Sequence, residues 1–473
     1  MASGKHTKIL FLNYDGDKGE LTVQIQVYNW LNQQKRSGGD VIFVRAMSAA
    51  SLPGKLIQPL TIAARVVDNE DGTYTAYAKP HWTGSTAVKA RIGSKFENWC
   101  RRFRAMSLYG DSVFSIPNPH SIFVEYEKNG LTQTERCSAT PTLSLYNATC
   151  NFTAQNYNMS FYCGYPSNQN LDCSNTILKA ITRPFPKLNN VTDSLVVPPF
   201  TEMITDTLVL DVASRTNITT SAVKCRNRAA LETWREQSPT GQGINGGWKM
   251  LHCVHRQLRN RTEIRRCLSR KRLLFLGDST VRQYFDRLVR MVNKSAKIEK
   301  KMNGLKYFDT TLPMVAEWQV HEMPYHCGTS VSLCVPGSIA GAMMNVASVY
   351  NETTDSDIVL VITYNAHLQN YPPDVLESRL KSIIEPLKYL KRVHPRAKVF
   401  FKGPHPVSQD RKWFDIRISL MYREVLISAL KDVLNDVVYL DTFSIGIAYD
   451  DLSLHPVNPM MQAQIDQLFG YIC

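Results

Sequence analysis

The sequence has no run of about 18 apolar residues, which excludes a helix long and greasy enough to cross a bilayer. Its opening stretch, MASGKHTKILFLNYDGDKGE, lacks the basic-then-apolar plan of a secretory leader. His-Glu-x-x-His and closely paired Cys/His spacings are missing, so a zinc site is not expected, and no phosphate-binding glycine loop is present. No bound cofactor is therefore expected. Zinc-finger, RNA-binding and basic-helix patterns are also lacking, which argues against nucleic acid as partner despite a formal charge of +14. With 44% hydrophobic and 20% charged residues, the 473-residue chain is neither disordered nor collagen-like, and its length allows two or three domains.

What is present points away from the cytosol. The 11 cysteines, at 100, 137, 150, 163, 173, 225, 253, 267, 327, 334 and 473, are scattered through loops, the pattern of disulfides rather than zinc. Their odd number leaves one thiol free or paired between chains. Asn-x-Ser/Thr sequons begin at Asn147, Asn151, Asn158, Asn190, Asn217, Asn260, Asn293 and Asn351. The expectation is a secreted protein, or one in the ER or Golgi lumen, whose targeting segment is missing from this chain. The competing reading is a cytosolic protein with chance sequons and reduced thiols. The positive charge suits acidic glycans or membrane surfaces, or is simply a well-solvated basic surface.

Residues 1–134 read as β structure. Leu21, Val23, Ile25 and Val27 alternate with polar residues, the period of a strand with one buried face. Asp71-Gly72 and Asn129-Gly130 offer the positive φ that hairpin turns need. Short strands at this spacing predict an immunoglobulin-like β-sandwich. Residues 135–265, rich in Cys, Asn, Thr and Pro, predict a disulfide-stapled connector without a core of its own; Phe161 to Cys173 in particular needs covalent closure. Residues 266–473 alternate strand and helix: strand Leu273–Leu276, a helix from Ser279, strand Ile358–Tyr364, helix Val375–Val393, strand Val399–Phe401, helix Phe414–Leu434, strand Val437–Leu440. That order predicts an α/β/α sandwich on a parallel sheet, with ligands at the carboxyl ends of the strands.

Gly277-Asp278-Ser279-Thr280 lies where the first of those strands gives way to its helix. Glycine permits the sharp exit, and Ser279 falls at a helix N-terminus whose unpaired N–H groups favour negative charge, the setting an acyl-enzyme oxyanion needs. Ser279 or Asp278 acting only as a helix cap reads the tetrapeptide equally well. His455, in Asp450-Asp451-Leu452-Ser453-Leu454-His455-Pro456, follows the last strand and is placed to take the serine proton, with a neighbouring carboxylate to orient it. Taken alone, a His-Pro near a chain's end is an ordinary loop.

CLSRKRLLFLGDSTVRQYFDRL, ITYNAHLQNYP (Ile362 to Pro372) and IAYDDLSLHP with the terminal YIC resemble the NXPE family, which joins a neurexophilin-like region to a PC-esterase domain of SGNH type. Upstream, RVVDNEDGTYTAYAKPHWTG is similar to a filamin-type immunoglobulin fold, and the FYC and LDC stretches and SPTGQGINGGWKMLHC extend the likeness over nearly the whole chain. The resemblance implies a glycan O-acetyltransferase, for which the positive charge suits a sialylated or uronic-acid-containing sugar, with Ser279 as nucleophile and oxyanion N–H, His455 as base, and Gly277, Asp278, Asn365 and His367 at the oxyanion and substrate subsites. It implies an acyl donor such as acetyl-CoA and a glycan or glycoprotein acceptor; it says nothing of oligomeric state. Asn365 stands where relatives carry glycine. Leu452 stands where they carry the orienting aspartate, which leaves Asp451, or Asp450, to serve. The alternatives are a lumenal glycan O-acetylesterase and a catalytically degenerate secreted ligand.

Overall fold

The computed structural model describes residues 1–48, 59–101, 121–141, 146–183, 201–205, 207–213, 223–301, 304–309, 311–323, 337–349, 357–369, 371, 373–408 and 416–473. Two antiparallel sheets make the amino-terminal body. One runs in the order Lys8–Asp15, Glu20–Gln26, Thr73–Ala78, Arg65–Asp68. The other contains Gly84–Ser94, Val41–Ser48 and Thr61–Ala63. Leu21, Val23 and Ile25 from the first sheet meet Ile42, Val44, Ala46, Val88 and Ile92 from the second in one core, as strict alternation requires.

The stretch read as a connector is not one unit. Glu202–Met203 and Leu208–Val212 pair with Gly84–Ser94, and the Gly241–Ile244/Gly247–Met250 hairpin joins Thr61–Ala63, so these segments extend the first body's second sheet. Thr149–Asn151, Tyr162–Gly164 and Thr176–Arg183 form a separate five-stranded sheet with the hairpin Ser121–Lys128/Leu131–Ser138. The expected boundary at 134 therefore falls inside a hairpin, closed by Asn129 and Gly130 at φ 50 and 80. Contrary to expectation, this sheet has a small core of its own, with Val124, Tyr126, Phe152, Phe161 and Leu171 buried around two disulfides. Phe161–Cys173 is closed as expected, though each cysteine leaves the segment for its partner: Cys163 bonds Cys137 and Cys173 bonds Cys150. Cys225–Cys253 and Cys267–Cys473 complete the described disulfides; Cys100 is free and exposed, and Cys327 and Cys334 lie outside the described residues.

The carboxyl-terminal domain is built on a seven-stranded sheet: β1 (Lys271–Gly277), β2 (Glu299–Lys301), β3 (Gly304–Asp309), β4 (Met314–Gln319), β5 (Asp357–Thr363), β6 (Lys398–Lys402) and β7 (Val437–Leu440), in the order β2-β3-β4-β1-β5-β6-β7. Strands β4, β1, β5, β6 and β7 are parallel, and β2 and β3 add an antiparallel edge. Leu273 and Phe275 pack with helices α1 (Ser279–Val292), α6 (Thr442–Tyr449) and α7 (Met460–Ile472). Leu274 and Leu276 pack with α2 (Ile339–Val349), α3 (Pro373–Ser382), α4 (Ile384–Val393) and α5 (Ile416–Ala429) on the other face. Both faces are covered, which explains the unbroken apolar runs of the central strands. The helix expected over Val375–Val393 is two helices: Pro386 has no N–H for the carbonyl of Ser382, so the chain turns at Ile383 and restarts. The helix expected over Phe414–Leu434 covers Ile416–Ala429; Phe414 lies outside the described residues.

Candidate active site

Gly277 leaves β1 at φ +138, and a Cβ there would stand 2.1 Å from the Thr363 carbonyl oxygen of β5. Only glycine fits that approach. Asp278 caps α1, its Oδ1 accepting from the Thr280 N–H at 2.9 Å and the Thr280 hydroxyl at 2.7 Å. Its Oδ2 accepts from the Asn365 and Ala366 N–H groups at 3.3 and 2.6 Å, which ties the loop after β5 to the elbow after β1. Burial would push this carboxyl up, but His367, Lys402 and the Thr280 hydroxyl outweigh burial and hold it low. Asp278 is thus a fully buried, ionised tether. The structure corrects its placement among substrate contacts, because both oxygens are occupied inside the protein.

Ser279 opens α1, partly exposed, with its Oγ 2.8 Å from His455 Nε2 across 176 residues of sequence. The Ser279 N–H, at the first helical position, has no hydrogen-bond partner among the described residues. Asn365 is buried beside the elbow. Its Oδ1 accepts from Gln369 at 2.7 Å, while its Nδ2 has no partner among the described residues. An unpaired buried amide is costly to keep.

The loop carrying His455 is clamped at several points, and its carboxylates do the clamping. Asp451 Oδ1 accepts from the Ser453 N–H at 3.0 Å and from its hydroxyl, and Oδ2 from the Val457 N–H at 3.3 Å. Asp450, in the left-handed region at φ 54, pairs with Arg45 and Arg91 of the amino-terminal body at 3.0 and 3.1 Å. Neither carboxylate hydrogen-bonds the His455 ring, which corrects the expectation that Asp451, or Asp450 in its place, orients it. The reason is local: the turn at Asp450 directs its carboxylate to Arg45 and Arg91, and Asp451 closes its own loop on Ser453 and Val457. Gln283, one helical turn beyond Ser279, donates to the Pro456 carbonyl at 3.1 Å.

Two buried groups missed in the sequence complete this clamp. His405 follows β6, and its Nε2–H is shared between the Ser453 and Leu454 carbonyls at 3.1 Å each. Carbonyls only accept, so Nε2 carries the proton and Nδ1 accepts from Lys402 Nζ at 3.5 Å. Burial and then Lys402 hold the His405 ring down to about 3, and burial, partly opposed by Asp278, brings Lys402 down to about 8. The same strand-end rule that flags Ser279 and Asn365 would have flagged His405.

On the other side of the elbow, His367 Nδ1 lies 2.8 Å from His321 Nε2, and His321 Nδ1 lies 2.7 Å from the Glu322 carbonyl. Burial first keeps both rings neutral, His321 down to about 4. The carbonyl forces the proton onto His321 Nδ1, so His321 Nε2 accepts from His367 Nδ1–H. His321 follows β4, a strand not read from the sequence. Of the sequons, Asn147, Asn151, Asn158 and Asn260 are exposed and Asn293 is half-buried; Asn190, Asn217 and Asn351 lie outside the described residues.

Sheet, helices and site together define a three-layer α/β domain with a serine–histidine pair at the carboxyl edge of its parallel strands. Residues 248–473 match the family model described as NXPE family member 4-like, C-terminal domain. In that domain the chain is similar to the NXPE family. The match starts at Trp248, upstream of the boundary expected at 266, and the buried Trp248 backbone and Arg259 both bond Asp466 of α7.

Proposed function

We propose that the carboxyl-terminal domain is an SGNH-type, serine-dependent glycan O-acetyltransferase, carried in a secreted or lumenal glycoprotein behind an immunoglobulin-like sandwich. The contact between Ser279 Oγ and His455 Nε2 carries this reading. His455 takes the Ser279 proton as Oγ attacks the acetyl carbonyl of a donor such as acetyl-CoA. The oxyanion is held by the Ser279 N–H and Asn365 Nδ2. The imidazolium returns its proton to the departing thiolate, leaving acetyl-Ser279. A glycan hydroxyl, deprotonated by His455, then attacks the acyl-enzyme, and the acetyl ester leaves as Oγ recovers the proton. Water in place of the hydroxyl gives acetate, the O-acetylesterase outcome. The positive charge of the chain favours an acidic acceptor such as a sialylated glycan.

The test is incubation with an activated acetyl ester followed by peptide mass spectrometry. An acetyl adduct on Ser279 that is lost in Ser279→Ala and depleted in His455→Gln supports the enzyme. An unmodified Ser279, with acceptor labelling unchanged by Ser279→Ala, leaves the degenerate secreted ligand. One observation favours that second reading, namely that Asp450 and Asp451 both bond elsewhere.

A further inference from the structure

A cavity of about 660 Å³ opens at the edge of the sheet opposite the Ser279–His455 pair. Its wall includes Lys271, Asp357 and Lys398, the first residues of β1, β5 and β6, whereas the candidate active site follows the last residues of the same strands. Arg226, Lys391 and Arg396 join them, so five cationic side chains face the Asp357 side chain and the Cys473 main-chain carboxylate. Lys271 pairs with Asp357 at 3.2 Å. The other lysines are held by main-chain carbonyls, Lys391 on Pro395 and Ala397 at 3.0 and 2.9 Å, and Lys398 on Tyr471 at 2.7 Å. Carbonyls fix where an ammonium stands without cancelling its charge. Arg226 reaches the Cys473 oxygen only at 3.5 Å, and Arg396 is exposed.

Holding an excess of cations over carboxylates around a half-buried space costs free energy through mutual repulsion and lost hydration. The Lys398 ammonium shows the strain: burial first, then Lys271 and Arg226, lower its affinity for the proton, and Asp357 only partly offsets them. Burial does the same to Lys391. An anion entering the cavity would relieve each of these terms at once. The space is far larger than one sulfate or phosphate fills and falls in the range that holds an organic ligand. Disulfides and exposed sequons place the chain where abundant organic anions are sulfated and carboxylated sugars rather than nucleic acids.

We propose that this cavity is a second carbohydrate site, taking a sulfated or uronate-bearing glycan chain at the sheet edge remote from Ser279. The assignment does not depend on Ser279 being reactive, so it is tested on the full chain carrying Ser279→Ala. A heparin-derived hexasaccharide is titrated by calorimetry against that protein, against a form adding Arg226→Glu and Arg396→Glu, and against a form adding Lys297→Glu and Lys300→Glu. The second pair is exposed at the far edge of the sheet and makes the same change in net charge. The expected result is that the Arg226/Arg396 form binds at least about tenfold more weakly, the loss due to reversing two charges that contact an anion, while the Lys297/Lys300 form binds nearly as well as the parent. Equal weakening by both pairs, no weakening by the first, or inorganic phosphate binding as tightly as the hexasaccharide would each overturn the assignment.

Discussion

At Gly277 a backbone angle, a carbonyl and a carboxylate meet within one residue of the proposed nucleophile. Gly277→Ala places a methyl against the Thr363 oxygen and forces a non-glycine residue to φ +138. The conformational penalty alone is about 1–3 kcal/mol, and the clash adds to it. The expected outcome is a lower denaturation midpoint together with loss of the Ser279 adduct, because β5 must shift and Asn365 with it. An unchanged midpoint in urea would show that the elbow is looser than described. Ser279 and His455 could be picked out from the sequence because each sits at a junction between recognisable elements. Lys402 and His321 could not, because their importance comes from what folding places beside them: a buried carboxylate in one case, a second imidazole in the other.

The segment Asp450–Pro459 shows how an element with little regular structure is given one shape. Asp451 closes it on itself, His405 holds two of its carbonyls, and Gln283 holds a third. Removing the His405 ring in His405→Ala frees the Ser453 and Leu454 carbonyls just ahead of His455. Activity toward an acetyl donor is then expected to fall by about 10–100-fold through kcat, with KM little changed and the fold intact by circular dichroism. His405→Gln, which keeps a donor, should recover part of it. Equal activity in the two variants would mean that the ring only fills space. At this scale the sequence was most readable where periodicity is local. The alternation of Leu21, Val23 and Ile25 gave a strand, and the spacing from Val281 to Val292 gave a helix whose stripe is buried as read. Glu299–Lys301 escaped notice because an edge strand facing water needs no apolar pattern, and Gly304–Asp309 beside it because its alternation is broken, with Phe308 exposed and Asp309 buried. The return of Leu208–Val212 and Gly241–Ile244 to the first sandwich is non-local pairing, which no window of sequence reports.

Over the whole molecule, buried groups shape the response to acid, His321, His367, His405 and Asp278 among them. His321 and His405 have folded values of about 4 and about 3 against an ordinary 6.5, each lowered chiefly by burial. Between about pH 6.5 and those values the unfolded chain binds protons that the folded chain refuses, so stability falls as pH falls through this window. Asp278 acts in the same direction lower down: its folded carboxyl is depressed, so its contribution is present above the ordinary value of 3.8 and is lost as pH falls below it. Thermal unfolding should therefore move to lower temperature from pH 7 to pH 4, with a shallower slope in His405→Gln. A flat profile would show that these rings are solvated.

The small disulfide-bonded sheet reaches the site as well: Asn156 bonds both the N–H and the carbonyl of Met323, two residues beyond His321. Arg45 and Arg91 reach it from the other side through Asp450. Two bodies that contribute no reactive atom thus act as the jig in which the reactive ones are set. A fragment cut at Trp248 would keep the alcohol and the imidazole but lose the spacer that fixes the gap between them, so in this chain the reach of the chemistry is set from outside the domain that performs it.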